Sequence, residues 1–151
     1  MAIYQSVASK KSSSFSSAAS TITANTGVIE IVGGDIEADD TIELLRIPAG
    51  EIPVDLILYV NTPLDTDGTP TITFDVGVGD KDGTIATGDE DLFMADSDFC
   101  QTGATNIVHV NKPDLAFMDS SNEDRLVILT ATEVAATGAT GTIKAVLLSK
   151  G

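Results

Sequence analysis

The chain has 151 residues, enough for one domain with a sizeable core. Its 23 acids against 8 lysines and arginines give a net charge of −15. That balance argues against direct nucleic-acid binding, where affinity comes from Lys and Arg displacing counterions, and an anionic membrane surface repels such a chain for the same reason. Aromatics make up only 5% and Trp is absent, so the core must be built mainly from Val, Ile, Leu and Ala, a β-branched composition that suits sheets.

Residues 1–20 stand apart. MAIYQSVASKKSSSFSSAAS carries Lys10 and Lys11, no acid, and a serine cluster from Ser12 to Ser20. The composition predicts a flexible arm anchored by Ile3, Tyr4 and Phe15, the alternatives being an idle tail or a first strand at a sheet edge. Its lysines are drawn to the acidic body of another copy, which makes Ile3, Tyr4, Lys10, Lys11 and Phe15 the candidate interface residues. Residues 21–151 form the expected sandwich domain. Val28–Val32 runs into the turn Gly33-Gly34-Asp35, and Thr41–Ile47 ends at Pro48-Ala49-Gly50, where Pro removes a ladder donor. Val54–Asn61 sets Val54, Leu56, Leu58 and Val60 on one face, before the turn 63–70. Ile72, Phe74, Val76 and Val78 alternate with Thr71, Thr73, Asp75 and Gly77, the period of a half-buried strand, and lead into the acidic turn Gly79–Gly83. Residues 84–106 read as loop, with Leu92, Phe93, Met94 and Phe99 as apolar plugs, and Ile107–Val110 as a short strand. Arg125–Thr132 is apolar on both faces and predicts a central, doubly covered strand. Thr142–Ser149 returns after the turn 137–141, expected antiparallel to it.

About eight short strands without helical spacing indicate an all-β, antiparallel β-sandwich, most simply jelly-roll-like. Leu56, Leu58, Phe74, Val76, Leu126, Ile128, Ala145 and Leu147 are expected to face inward or lie at an interface.

Reactive chemistry is sparse. Cys100 is the only cysteine, so no intrachain disulfide is available, and its one potential catalytic partner is His109. A lone Cys and a lone His are more often packing or surface residues than a dyad, and no enzyme is expected. The turns Asp65-Thr66-Asp67-Gly68 and Asp80-Lys81-Asp82-Gly83 set carboxylates at alternate positions, as calcium loops do, which makes Asp65, Asp67, Asp80 and Asp82 the metal candidates. Neither continues as an EF-hand, Lys81 sits inside the second, and Asp with Gly is ordinary turn chemistry, so plain turns are favoured. Asp89, Glu90 and Asp91, followed by Asp96 and Asp98, form an acidic cluster that is either a solvated loop or a docking site for a basic partner or a shared cation. Gly77-Val78-Gly79 does not open a helix and so lacks the physics of a phosphate loop. No cofactor is expected. No apolar run approaches the roughly 20 residues of a membrane helix, and the N-terminus is too polar for a signal peptide, so a soluble product made in the cytoplasm is expected.

Three segments carry a resemblance: ELLRIPAGEIPVDLILYVNT, TITFDVGVGDKDG and DEDLFMADSDF. Their order, with the turn Arg46-Ile47-Pro48-Ala49-Gly50, the acidic turn in Val76–Gly83 and the aromatic after acids in Asp91-Leu92-Phe93, resembles small structural proteins of tailed-bacteriophage particles, especially head decoration (capsid cement) proteins. It covers the central third of the chain. The resemblance implies a non-enzymatic virion protein at the capsid surface, made in the host cytoplasm. Its implied partners are the major capsid protein and further copies of itself, with a trimer favoured. Another particle component (minor capsid, tail or fibre-base protein) is the alternative. From a different class comes a calcium- or carbohydrate-binding β-sandwich module, although scarce aromatics count against sugar stacking.

Overall fold

The computed structural model describes residues 1–6, 22–101 and 121–151, and residues 106–110 as backbone. Nine strands are present among them: β1 (Ile3–Gln5), β2 (Ile22–Val32), β3 (Thr41–Ile47), β4 (Ile52–Val60), β5 (Thr73–Asp80), β6 (Met94–Ser97), β7 (Asn106–Val110), β8 (Arg125–Glu133) and β9 (Thr140–Lys150). They form two sheets, ordered β1-β3-β8-β5-β6 and β2-β9-β4-β7. Every pairing is antiparallel except β1 with β3. The chain is an all-β sandwich.

The core fills the space between the sheets. On one side Phe74, Val76 and Val78 stand beside Ala131, Leu129 and Val127 of the neighbouring strand. On the other, Leu56, Leu58 and Val60 stand beside Leu147, Ala145 and Ile143. Burying each Val, Leu, Ile or Phe among them contributes about 1.5–3 kcal/mol. The loop plugs Phe93 and Phe99 are fully part of this core, and the Phe99 ring lies 6.1 Å from that of Phe74 at a tilt of 51°.

Three local expectations are corrected. Val54 does not share the face of Leu56, because the register slips between Pro53 and Asp55; the extra residue leaves Val54 39% exposed. Thr142–Ser149 does not pair with Arg125–Thr132: β8 and β9 belong to different sheets, and β9 lies between β2 and β4. Residues 84–106 contain β6, which pairs with β5 at Phe74–Ser97 and Val76–Met94.

Arg125–Thr132 does lie in a central strand buried on both faces. Val127 and Leu129 enter the core, while Leu126 and Ile128 point to the opposite side and are still 1% exposed. They are covered by the chain itself. A Cβ on Gly77 would lie 2.0 Å from the Asp89 carbonyl oxygen, and one on Gly79 would lie 2.4 Å from Ile128 Cδ1. Two glycines in β5 therefore let the 84–93 loop and the Ile128 side chain close over the outer face. The Asp80 amide donates to the Thr84 carbonyl, the Val78 amide to the Asp89 carbonyl and the Phe93 amide to the Val76 carbonyl, pinning the start, middle and end of that loop.

The first residues take the sheet-edge alternative. Ile3–Gln5 runs parallel to Thr41–Glu43. The Ala2 amide donates to Asp40 Oδ1, the Ser6 amide to the Glu43 carbonyl, and the Tyr4 hydroxyl to the Asp35 carbonyl. Ile3 remains exposed and Tyr4 half-buried. Lys10, Lys11 and Phe15 lie outside the described residues.

Candidate interaction surfaces

The four candidate cation ligands sit in turns that already use their oxygens. Asp65 is buried and accepts five backbone N–H bonds: Asp67 (3.1 Å) and Thr137 (3.0 Å) on Oδ1, and Thr71 (2.8 Å), Ala136 (2.8 Å) and Ile72 (3.4 Å) on Oδ2. Burial pushes its pKa up, but the amides of Thr71, Thr137, Ala136 and Asp67 together outweigh burial and hold the carboxyl well below the usual range. The side chain ties the 63–72 loop to the 134–138 loop across the sandwich end. Asp67 Oδ1 accepts from the Thr69 amide, and Asp80 Oδ1 from the amides of Asp82 and Thr84, each a local Asx turn. Asp82 pairs with Lys81 at 2.7 Å. Among the described residues, no three His, Cys, Asp or Glu side chains are grouped to hold a metal ion.

Cys100 is buried, and burial pushes its thiol pKa well up, so it stays protonated as a packing residue. The backbone of His109 lies in β7 opposite Ile57.

The acidic cluster is divided by the fold. Asp89 turns toward a cleft of about 340 Å³ that also receives Asp80, Glu123, Asp124 and Arg125. More than thirty positions separate Asp80 and Asp89 from Glu123, Asp124 and Arg125, and only the pairing of β5 with β8, which sets Asp80 opposite Arg125, joins the two sets. Arg125 is half-buried; burial lowers its pKa, Asp89 opposes that, and its guanidinium donates to the Glu51 carbonyl at 3.0 Å. Asp96 instead lies on the far side of β5, where its amide donates to Asp75 Oδ1. Glu123 and Asp124 were not singled out from the sequence. Their position just before the apolar run of β8 was the available signal.

The outer face of the second sheet differs in character. Ile22, Val28 and Val32 project from β2 at 60%, 48% and 43% exposure. The register sets Val28 beside Lys144, Val146 beside Ile57 and Lys144 beside Tyr59, so partly exposed apolar side chains continue across β9 and β4. Lys144 Nζ lies 5.6 Å from the centre of the Tyr59 ring. The charged members of β2, β9 and β4 on this face are two acids, Glu30 and Asp55, and two bases, Lys144 and Lys150. A chain of net charge −15 thus has one sheet face that is apolar and balanced in sign.

Comparison with known proteins gives this architecture a context. No family model matches the chain, and no curated protein does. A solved chain of the capsid of Ralstonia phage GP4 is 30% identical, with a TM-score of 0.81, over 99% of this chain and 97% of that one. A chain of the cyanophage Pam1 capsid asymmetric unit shares the fold at 21% identity and a TM-score of 0.71, over 93% of this chain and 92% of that one. The match to the Ralstonia phage chain extends over essentially both full lengths. The chain belongs to that family of phage capsid proteins.

Proposed function

We propose that the protein is a head decoration, or cement, protein: a non-enzymatic component that binds the outside of an assembled phage shell through the major capsid protein and stabilises it. A subunit that binds only the assembled lattice holds that lattice together by mass action. The observation that carries the outer position is the net charge of −15. A chain so acidic is repelled by packaged nucleic acid, whose phosphates attract Lys and Arg, and suffers no such penalty outside the shell. Family membership supports a place in the virion, following synthesis in the host cytoplasm. The strand orders β2-β9-β4-β7 and β3-β8-β5-β6 support reading the sandwich as a jelly roll.

Residues 1–20 serve as an arm in this reading. β1 pins its start to the sheet edge, and the part bearing Lys10, Lys11 and Phe15, together with exposed Ile3, reaches the shell or a neighbouring copy. The assembled unit is a homotrimer. The test is sedimentation: purified protein mixed with capsids lacking it should pellet with them and raise their resistance to heat. Protein that stays in the supernatant at micromolar concentration contradicts the decoration role.

A further inference from the structure

We infer that the outer face of β2, β9 and β4 is the surface on which one copy of this chain packs against another. The inference rests on the homo-oligomer of the proposed function and names its contact face, and it is separable from shell binding because it concerns what isolated protein does in solution.

Ile22, Val28 and Val32 are exposed on β2, interspersed with Ala24, Thr26 and Glu30, and Val28, Tyr59, Thr142 and Lys144 border a shallow, mainly apolar hollow of about 240 Å³. Apolar side chains in such number on a soluble sheet mark an interaction surface, and the centre of a protein interface is apolar and depleted in charge. The roof over Leu126 and Ile128 shows how this chain covers an apolar outer face when it does so itself; Val28 and Val32 on the second sheet stay 48% and 43% exposed, without that cover among the described residues.

Charge selects the occupant. Two copies of a chain at −15 repel each other, so their contact must form where that repulsion is least. A face made for a strongly basic partner would carry the acids that dominate elsewhere, such as Asp80, Asp89, Glu123 and Asp124 in the cleft. This face carries Glu30 and Asp55 against Lys144 and Lys150. Equal numbers of both signs on one face let acids of one copy meet lysines of the next, as the head-to-tail contacts of a closed ring require. The same face of each copy turns toward a common axis, burying the exposed apolar residues of β2 and setting acids of one copy near lysines of the next.

The test uses the full chain and light scattering behind size exclusion. Wild type should be an oligomer at micromolar concentration. Val28→Asp should raise the dissociation constant at least about tenfold while leaving the circular dichroism spectrum unchanged. Val134→Asp, at a similarly exposed apolar residue after β8, should leave the oligomer intact. A monomeric wild type, an oligomer that survives Val28→Asp, or dissociation by Val134→Asp overturns the inference. So does a Val28→Asp protein that keeps its oligomeric mass but no longer sediments with capsids, since the face would then belong to the shell.

Discussion

The two sheets share a core and differ on their outer faces. Over β8 and β5, the 84–93 loop closes on Gly77, while Ile128 fills the space beside Gly79, so that Leu126 and Ile128 are buried away from the core. Over β2, β9 and β4, Ile22, Val28 and Val32 stand without such a cover among the described residues. Where a chain covers both faces of a strand with its own atoms, the sequence becomes continuously apolar, as in Leu126–Leu129. Along β2 the alternation persists, and exposed Ile22, Val28 and Val32 stand at outward positions beside Thr26 and Glu30. Charge follows the same division: acids crowd the loop cleft, and the bare face is balanced.

This contrast can be broken from either side. The largest effect is expected in the core that both sheets share. Phe74→Ala should cost about 3–5 kcal/mol by opening a cavity beside Phe99, read as a lower urea midpoint with an unchanged slope. An unchanged midpoint would show that Phe74 is not a core residue.

Asp65 ties together two loops at the end of the sandwich. Asp65→Asn keeps the shape but loses the charged acceptor and turns a donor toward backbone amides, so a loss of about 1.5–3 kcal/mol is expected. The pH dependence has a definite sign. The folded carboxyl is held below its unfolded value of about 3.9, so its contribution is complete above that pH and is lost as pH falls further, toward the depressed folded value. Wild type should therefore lose stability below about pH 4 more steeply than Asp65→Asn does. Parallel acid profiles would remove Asp65 from this role.

On the roofed face, Gly77→Ala forces a Cβ to within 2.0 Å of the Asp89 carbonyl and 2.4 Å of the Glu90 carbonyl. The loop must lift, at a cost of about 1–3 kcal/mol, and amides of residues 84–93 should exchange faster with deuterium. On the bare face, Val28→Asp should change monomer stability by less than about 0.5 kcal/mol, because the side chain is half exposed and packs on no roof. A large loss on urea unfolding, at a concentration where the wild type is monomeric, would mean that the face is covered by the chain's own residues.

Much of the fold was legible in the residues because local pattern and tertiary burial agree. Thr41–Ile47 matches β3 end to end, since Pro48 and Gly50 set its limit. The alternation of Ile72–Val78 gives the buried face of β5, and the double-faced run at Leu126–Leu129 identifies a central strand. What stayed hidden depends on partners distant in sequence. Val54 turns outward because of a bulge opposite Ser149–Leu148, which period-two counting within β4 cannot register. The exchange of partners between β8 and β9 is a property of two sheets, not of either strand. The acidic cleft is legible only in part: Asp80 and Asp89 fall in readable acidic turns, whereas Glu123, Asp124 and Arg125 arrive through strand pairing. Asp65 looked like any turn aspartate, and its five amide donors come from both sides of the molecule's end.

The central claim is that this sandwich decorates the outside of a phage shell, and an image of the decorated particle tests it most directly. Capsids lacking the protein, incubated with it and visualised by electron cryomicroscopy, should gain density of this β-sandwich on the outer surface at symmetry-related positions. Density on the inner surface, density confined to one vertex or to the tail, or a shell identical to the untreated capsid would contradict the account.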